Sequence, residues 1–179
     1  MFKAFAPIAA AAGLALSLCA GAAFAQAPAP ALGDAQIAHI AYTAGVVDVA
    51  AGRQALKKAH NKAVRAFALE MVRDHTAVND KALALVKKLG VKPEDNATSQ
   101  GLAKGGADEL KTLAALKGAA FDKAYVANEV AYHKTVNGAL QTVLIPNAKN
   151  AELKSLLQTG LTLFQEHQMH AEHLAAGLK

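Results

Sequence analysis

The stretch Asn61–Gly90, NKAVRAFALEMVRDHTAVNDKALALVKKLG, decides the fold. Val64, Ala68, Met71, His75, Val78, Ala82, Leu85 and Leu89 follow one another at alternating spacings of four and three. That is the repeat of a helix packed along its whole length against other helices. Asn61 suits the N-cap, and Gly90 suits the position just past the end. The charges of Lys87 and Lys88 complement a helix C-terminus. One member of the seam is wrong for an apolar core: His75 stands where an aliphatic residue belongs.

Outward from this helix, the same logic covers most of the chain. Upstream, Asp34 opens a helix whose inner face is Ile37, Ile40, Ala44, Val47, Ala51 and Ala55, with Asp48 near the middle of that face. The break near Ala59–Asn61 is short, so the two helices are expected to pair antiparallel. Downstream, VKPEDNATSQGLAKGG reads as a loop or crossover, and Asp108–Lys117 as a short amphipathic helix. Gly118 allows a bend. The next long helix is expected from Phe121 to Leu144 and to end at Ile145-Pro146-Asn147, because the residue before a proline is pushed out of helical geometry. The last runs from Asn150 to Leu178 on the seam Leu153, Leu157, Gly160, Phe164, His167, Ala171, Leu174 and Leu178. No strand and no tandem repeat of fixed period is legible. The fold class is all-α: a four-helix bundle with one extra short helix.

The N-terminus stands apart from the bundle. Lys3 supplies a charged start, Ile8 to Ala23 is a run of apolar and small residues, and Ala23-Phe24-Ala25 is a small-x-small cleavage site. Residues 1–25 are therefore expected to be a secretory signal peptide, 26–33 a Pro/Ala linker and 34–179 the folded domain. That arrangement predicts a periplasmic protein with no membrane span once the signal is removed. The only cysteine, Cys19, lies in the leader, preceded by Leu18 where a lipoprotein signal wants a small residue. The mature chain would have no disulfide, no thiolate metal site and no thiol nucleophile.

The formal net charge is +5, but the basic residues are mixed with acids and no tryptophan is present. A nucleic-acid surface would want a denser basic stripe with aromatic platforms, so nucleic acid is not an expected partner. An envelope protein or a second copy of the chain remains open.

The polar residues inside the seams carry the chemistry. In the third long helix, Phe121, Tyr125, Tyr132, Val136, Leu140 and Val143 define one apolar arc, with Glu129 near its centre and Asp122 and His133 on its flank. Glu129 and His133 are four apart and share a face. In the last helix His167 is central, His170 lies at the edge, and Glu166 and His173 face outward. The inward set is Asp48, His75, Glu129, His133 and His167, at least one from each long helix. A buried carboxylate needs a partner or a metal. Imidazole and carboxylate without thiolate suit Zn, Cu, Fe or Mn. Counting residues from each turn sets Asp48 and His75 level but offsets His133 from His167 by roughly 10 Å at ~1.5 Å per residue. Two separate polar spots are therefore as compatible with the sequence as a single cage.

The blocks FALEMVRDHTAVNDKALALVKKLGV, LKGAAFDKAYVANEVAYHKTV and LFQEHQMHAEHL resemble the secreted bacterial proteins of the domain of unknown function 4142 family, over nearly all of the mature chain. The resemblance implies export and a ferritin-like helical bundle, with the family's histidines at His75, His133 and His167. It implies no activity. Ferritin chemistry does not follow from the label: carboxylate-bridged di-metal sites use Glu-x-x-His pairs, and this sequence has only Glu-x-x-x-His. No nucleophile elbow and no zinc-protease helix motif is present either. Two readings lead, and a redox enzyme using the same ligands is a third. One is a bundle binding a transition-metal ion through His75, His133, His167 and Glu129 or Asp48, as a binder rather than a catalyst. The other is a metal-free envelope module, linked to partners or stress resistance, whose buried polar groups only fix helix register.

Overall fold

The computed structural model describes residues 32–178; the expected leader and most of the linker lie outside the described residues. Helices run α1 (Asp34–Lys58), α2 (Lys62–Lys88), α3 (Ala97–Ala114) and α4 (Gly118–Ala139). A π-helical turn (Leu140–Leu144), the brief α5 (Ile145–Asn147) and the long α6 (Ala151–Gly177) complete the chain. Among the described residues there is no strand, and no helix is long and apolar enough to cross a membrane.

The ends of α2 form as the sequence dictates. The Asn61 side chain accepts from the amides of Ala63 and Val64. Gly90 takes φ 63°, and the Val91 amide closes back on the Val86 carbonyl at 3.0 Å. That is the left-handed terminator for which glycine has no steric penalty. Gly118, at φ 56°, makes the comparable bend between α3 and α4.

α1 and α2 form one antiparallel hairpin, α4 and α6 the other. α3 returns the chain from the foot of the bundle, where the Glu94 amide meets the Ala35 carbonyl, to its head, where Gln54 donates to the Leu110 carbonyl. This is the single long crossover of ferritin-like bundles. The crossover differs from expectation: it is an 18-residue helix rather than a loop followed by a short helix. Asn96 caps it by accepting from Thr98 and Ser99, and Ser99 reaches back to the Asn96 amide. Small residues that read as loop composition instead let α3 lie close on α1; a Cβ on Gly106 would come within 2.6 Å of Val47.

Pro146 also behaves differently from expectation. Ile145 stays helical at φ −63°, ψ −46°, and the helix persists to Asn147. The π turn just before it widens the coil and makes room for the ring. It also rotates the register, so Leu144 and Ala148 point inward while Val143, expected in the apolar arc, is 40% exposed.

The corners of the two hairpins are built alike. Ala59-His60-Asn61 and Ala148-Lys149-Asn150 each place a buried alanine before an exposed turn residue and an asparagine N-cap. Asp122, at the start of α4, accepts from the His60 and Asn61 amides at 3.1 and 2.9 Å. Asp34, at the start of α1, accepts from the Lys149 and Asn150 amides, both at 2.8 Å. Each hairpin thus holds the other's turn. Asp122, read from the sequence as a flanking polar candidate, is therefore a structural cap. The likeness is an internal repeat that no fixed period in the sequence revealed. One residue more separates Asp122 from Ala148 than Asp34 from Ala59, and the π turn absorbs it.

Two apolar clusters fill the bundle. The upper holds Ala55, Val64, Phe67, Met71, Phe121 and Tyr125; the lower holds Ile37, Ile40, Leu140, Leu153, Leu157 and Phe164. Each such large side chain contributes about 1.5–3 kcal/mol on burial. Between the clusters lies a layer of buried polar side chains.

Candidate metal centre

The layer is assembled from one turn of each long helix. α1 supplies Asp48, α2 supplies His75, α4 supplies Glu129 and His133, and α6 supplies His167; all are at least 97% buried. The sequence placed His133 on the flank of its helix, but it is fully internal. One nitrogen from each of His75, His133 and His167 lies within 4.8 Å of the other two, and donor atoms of Asp48, Glu129 and His133 converge equally closely. His133 belongs to both groups, so the two adjoin and share that residue instead of lying apart. Most of the expected offset of His133 from His167 disappears because the turn lies at Ala148–Asn150 and not at Pro146, which sets the two residues nearly level; Cα–Cβ bonds, which tilt toward the helix N-terminus, close the rest. On α4 that points away from the shared turn and on α6 toward it, which brings the ring centroids to 5.5 Å.

The hydrogen bonds fix two tautomers. His133 Nδ1 lies 3.0 Å from the Glu129 carbonyl, which can only accept, so Nδ1 carries the proton and Nε2 the lone pair. His167 Nε2 lies 3.1 Å from Asp74 Oδ2. Asp74 is held below the usual carboxylate range, first by its hydrogen bond from Arg73, so it is ionised and accepts from Nε2–H. The lone pair of His167 is then on Nδ1. The two lone-pair nitrogens, His133 Nε2 and His167 Nδ1, are buried and have no hydrogen-bond partner. A histidine donating its outer N–H to a carboxylate or carbonyl while its other nitrogen faces a common centre is the arrangement of metal-ligating imidazoles. His75 stacks on Phe164 at 4.4 Å and 9° between planes, with both ring nitrogens unpartnered.

Asp48 is the most telling residue. Its Oδ2 lies 3.2 Å from His75 Nε2 and 3.5 Å from His133 Nε2. Yet neither carboxylate oxygen has a hydrogen bond of acceptable geometry, and Glu129 Oε2 is likewise unpartnered. Native interiors seldom leave so many polar atoms unsatisfied in one place. Donor atoms bound at ~2.1 Å to one ion, with angles of ~90–110°, lie ~3.0–3.4 Å from one another. The Asp48 separations are close to that spacing and lack hydrogen-bond alignment. The donor set therefore fits an ion.

Burial sets the protonation of the metal-free centre. It pushes the Asp48 carboxyl up to about 8 and Glu129 well above its ordinary value, the latter reinforced by Asp48. It pushes His75 well down, with His133 and His167 adding to the effect, and takes His133 down to about 4. His167 is lowered too, against the pull of Asp74. Without an ion, burial thus favours neutral imidazoles and protonated carboxyls in the centre. A divalent cation would exchange with the two carboxyl protons and leave the layer electrically balanced, at far lower cost than isolated buried charges.

Sequence reading missed Asp74. It precedes His75 on the half-exposed side of α2, off the apolar seam, and only the pairing of α2 with α6 shows that it orients His167. The outward pair His170 Nδ1 and Glu70 Oε2, 2.9 Å apart, lies beside it.

A family model described as Domain of unknown function (DUF4142) matches residues 19–174. No curated protein and no solved structure matches the chain.

Proposed function

The chain belongs to this domain of unknown function 4142 family, and we propose that its bundle binds one divalent transition-metal ion through Asp48, His75, His133 and His167, with Glu129 completing the charge balance. The observation that carries the reading is Asp48: a carboxylate set between two imidazole nitrogens at 3.2 and 3.5 Å, with no hydrogen bond to either. Nitrogen and oxygen donors without thiolate suit Zn, Cu, Fe or Mn. The centre is buried and closely walled, which favours a binder or buffer more than a catalyst. The leader-like residues 1–25 support export, so that the binding would take place in the periplasm.

Binding should be proton-coupled. Burial raises Asp48 to about 8 and raises Glu129 as well in the metal-free centre, so uptake of Zn²⁺ near neutral pH should release protons, up to about two per ion. Calorimetric titration of chelator-treated protein in buffers of different ionisation enthalpy measures that number. Proton release, at one ion per chain, supports the site. Zinc held without proton release would place it on surface carboxylates instead and overturn the assignment.

A further inference from the structure

Directly beneath the polar layer lies a cavity of ≈160 Å³ walled almost wholly by apolar atoms. Ala44, Asn79, Val136 and Phe164 all line it. Each stands one helical turn from a residue of the polar centre: from Asp48, His75, His133 and His167 respectively, always on the side toward the foot of the bundle. The chamber therefore abuts the layer on all four helices.

Native cores are close-packed, with few voids larger than a water molecule. A chamber this size with hardly any polar lining offers water too few partners to hold it. Its floor is Leu140, Leu144, Leu153 and Leu157. Its volume comes from small residues at inward positions, of which Gly160 is the clearest: a Cβ there would meet only the Phe164 ring, at 3.5 Å and beyond. The side chain that would fill the space could be accommodated by the backbone and is missing.

The chamber has a way in. Thr98, Leu102 and Thr135 line both the chamber and a wider surface groove of ≈450 Å³ between α1, α3 and α4. Gly101 and Gly105 of α3 border that groove, and Glu109, Asn128 and Tyr132 give it a polar rim.

We propose that the chamber is a binding site for a small uncharged apolar molecule, about the size of a benzene ring, admitted through the α1–α3–α4 groove and seated one helical turn below His75, His133 and His167. A dry cavity of ~150 Å³ lined by aliphatic and aromatic side chains is large enough for benzene. Asn79 is the one amide in the wall, so shape and apolar contact set the selectivity rather than charge.

The site does not depend on the metal reading, and the test is made on chelator-treated protein so that the two can fail separately. Benzene is titrated into isotope-labelled protein while methyl resonances are followed. Saturable shifts centred on Val78, Val136, Leu140 and Leu157, with a dissociation constant on the order of 1 mM or tighter, are expected. Gly160→Leu should weaken that binding at least tenfold while the helical circular dichroism spectrum is retained. Ala82→Leu, from the α2 wall, serves as the second filling variant should Gly160→Leu fail to fold. Shifts that do not saturate, or that scatter over the surface, overturn the proposal. So does a folded filling variant that binds benzene as well as the parent.

Discussion

The hairpin corners and the layer midway along the bundle both bury aspartate, and they treat it in opposite ways. At the head of the bundle, Asp122 is buried with both carboxylate oxygens engaged by backbone amides. In the middle, Asp48 is equally buried with neither oxygen hydrogen-bonded. A structural polar group is satisfied by the fold itself. A group kept for a ligand is left orphaned until the ligand arrives, and its neighbours are other orphans aimed at the same point. The contrast separates scaffold from site more sharply than burial or residue type, which are the same for both.

The largest expected effect is at Asp48. Asp48→Ala should abolish stoichiometric zinc binding, read by calorimetry, and yet leave the metal-free protein as stable as the parent or more so, because an unsatisfied buried carboxyl is removed. Asp122→Ala should do the reverse: zinc still binds, but urea unfolding reports a loss of about 2–4 kcal/mol from two amides stripped of a charged acceptor. If both aspartates gave the same phenotype, the distinction between corner and centre would collapse. Next in size is Asp74→Asn, which should cost ~10–100-fold in zinc affinity by loosening the orientation of His167. An unchanged affinity would remove Asp74 from the site. The smallest effect is Asp34→Ala, about 1–2 kcal/mol, since this cap is only half-buried and water can replace it.

pH sharpens the same comparison. The metal-free Asp48 is raised from 3.8 to about 8. Its contribution to stability is therefore full below the unfolded value and is lost as pH rises through the folded one. His133, lowered from 6.5 to about 4, has the opposite dependence: its contribution is full above the unfolded value and is lost as pH falls toward the folded one. Asp48→Asn abolishes the first dependence and keeps the second. The stability difference between metal-free Asp48→Asn and metal-free parent should therefore grow in the variant's favour between about pH 4 and pH 8. A difference that stays constant over that window would mean Asp48 is already ionised in the folded state.

Much of this was legible in the sequence, for identifiable reasons. α2 and α6 keep one face inward for seven turns, so their seams announce both the helices and the misfit histidines. Asp48, Glu129, His133 and His167 were likewise visible as polar interruptions of apolar arcs. Only the second half of α3 was visible, as the short helix from Asp108; its first half was not, because a helix lying close on a neighbour uses glycine and alanine, the composition of a loop. Nor was the meeting of His133 with His167, because the count was taken from Pro146 while the helix runs on to Asn147, or the inward turn of Leu144, which depends on a π turn that helical-wheel arithmetic does not contain. Asp74 escaped because its task is set by a residue on another helix. The internal repeat escaped because it lives in corner geometry and two capping aspartates, not in a fixed period.

The central claim, an ion in the polar layer, is tested most directly by elemental analysis of the untagged protein purified without chelator, beside a His75→Ala/His167→Ala variant. About one zinc, copper, iron or manganese per chain, lost in the variant, is the predicted result. A parent protein that carries no metal and takes up none when it is supplied would contradict it, and would leave the orphaned carboxylates as register-fixing groups of a metal-free bundle.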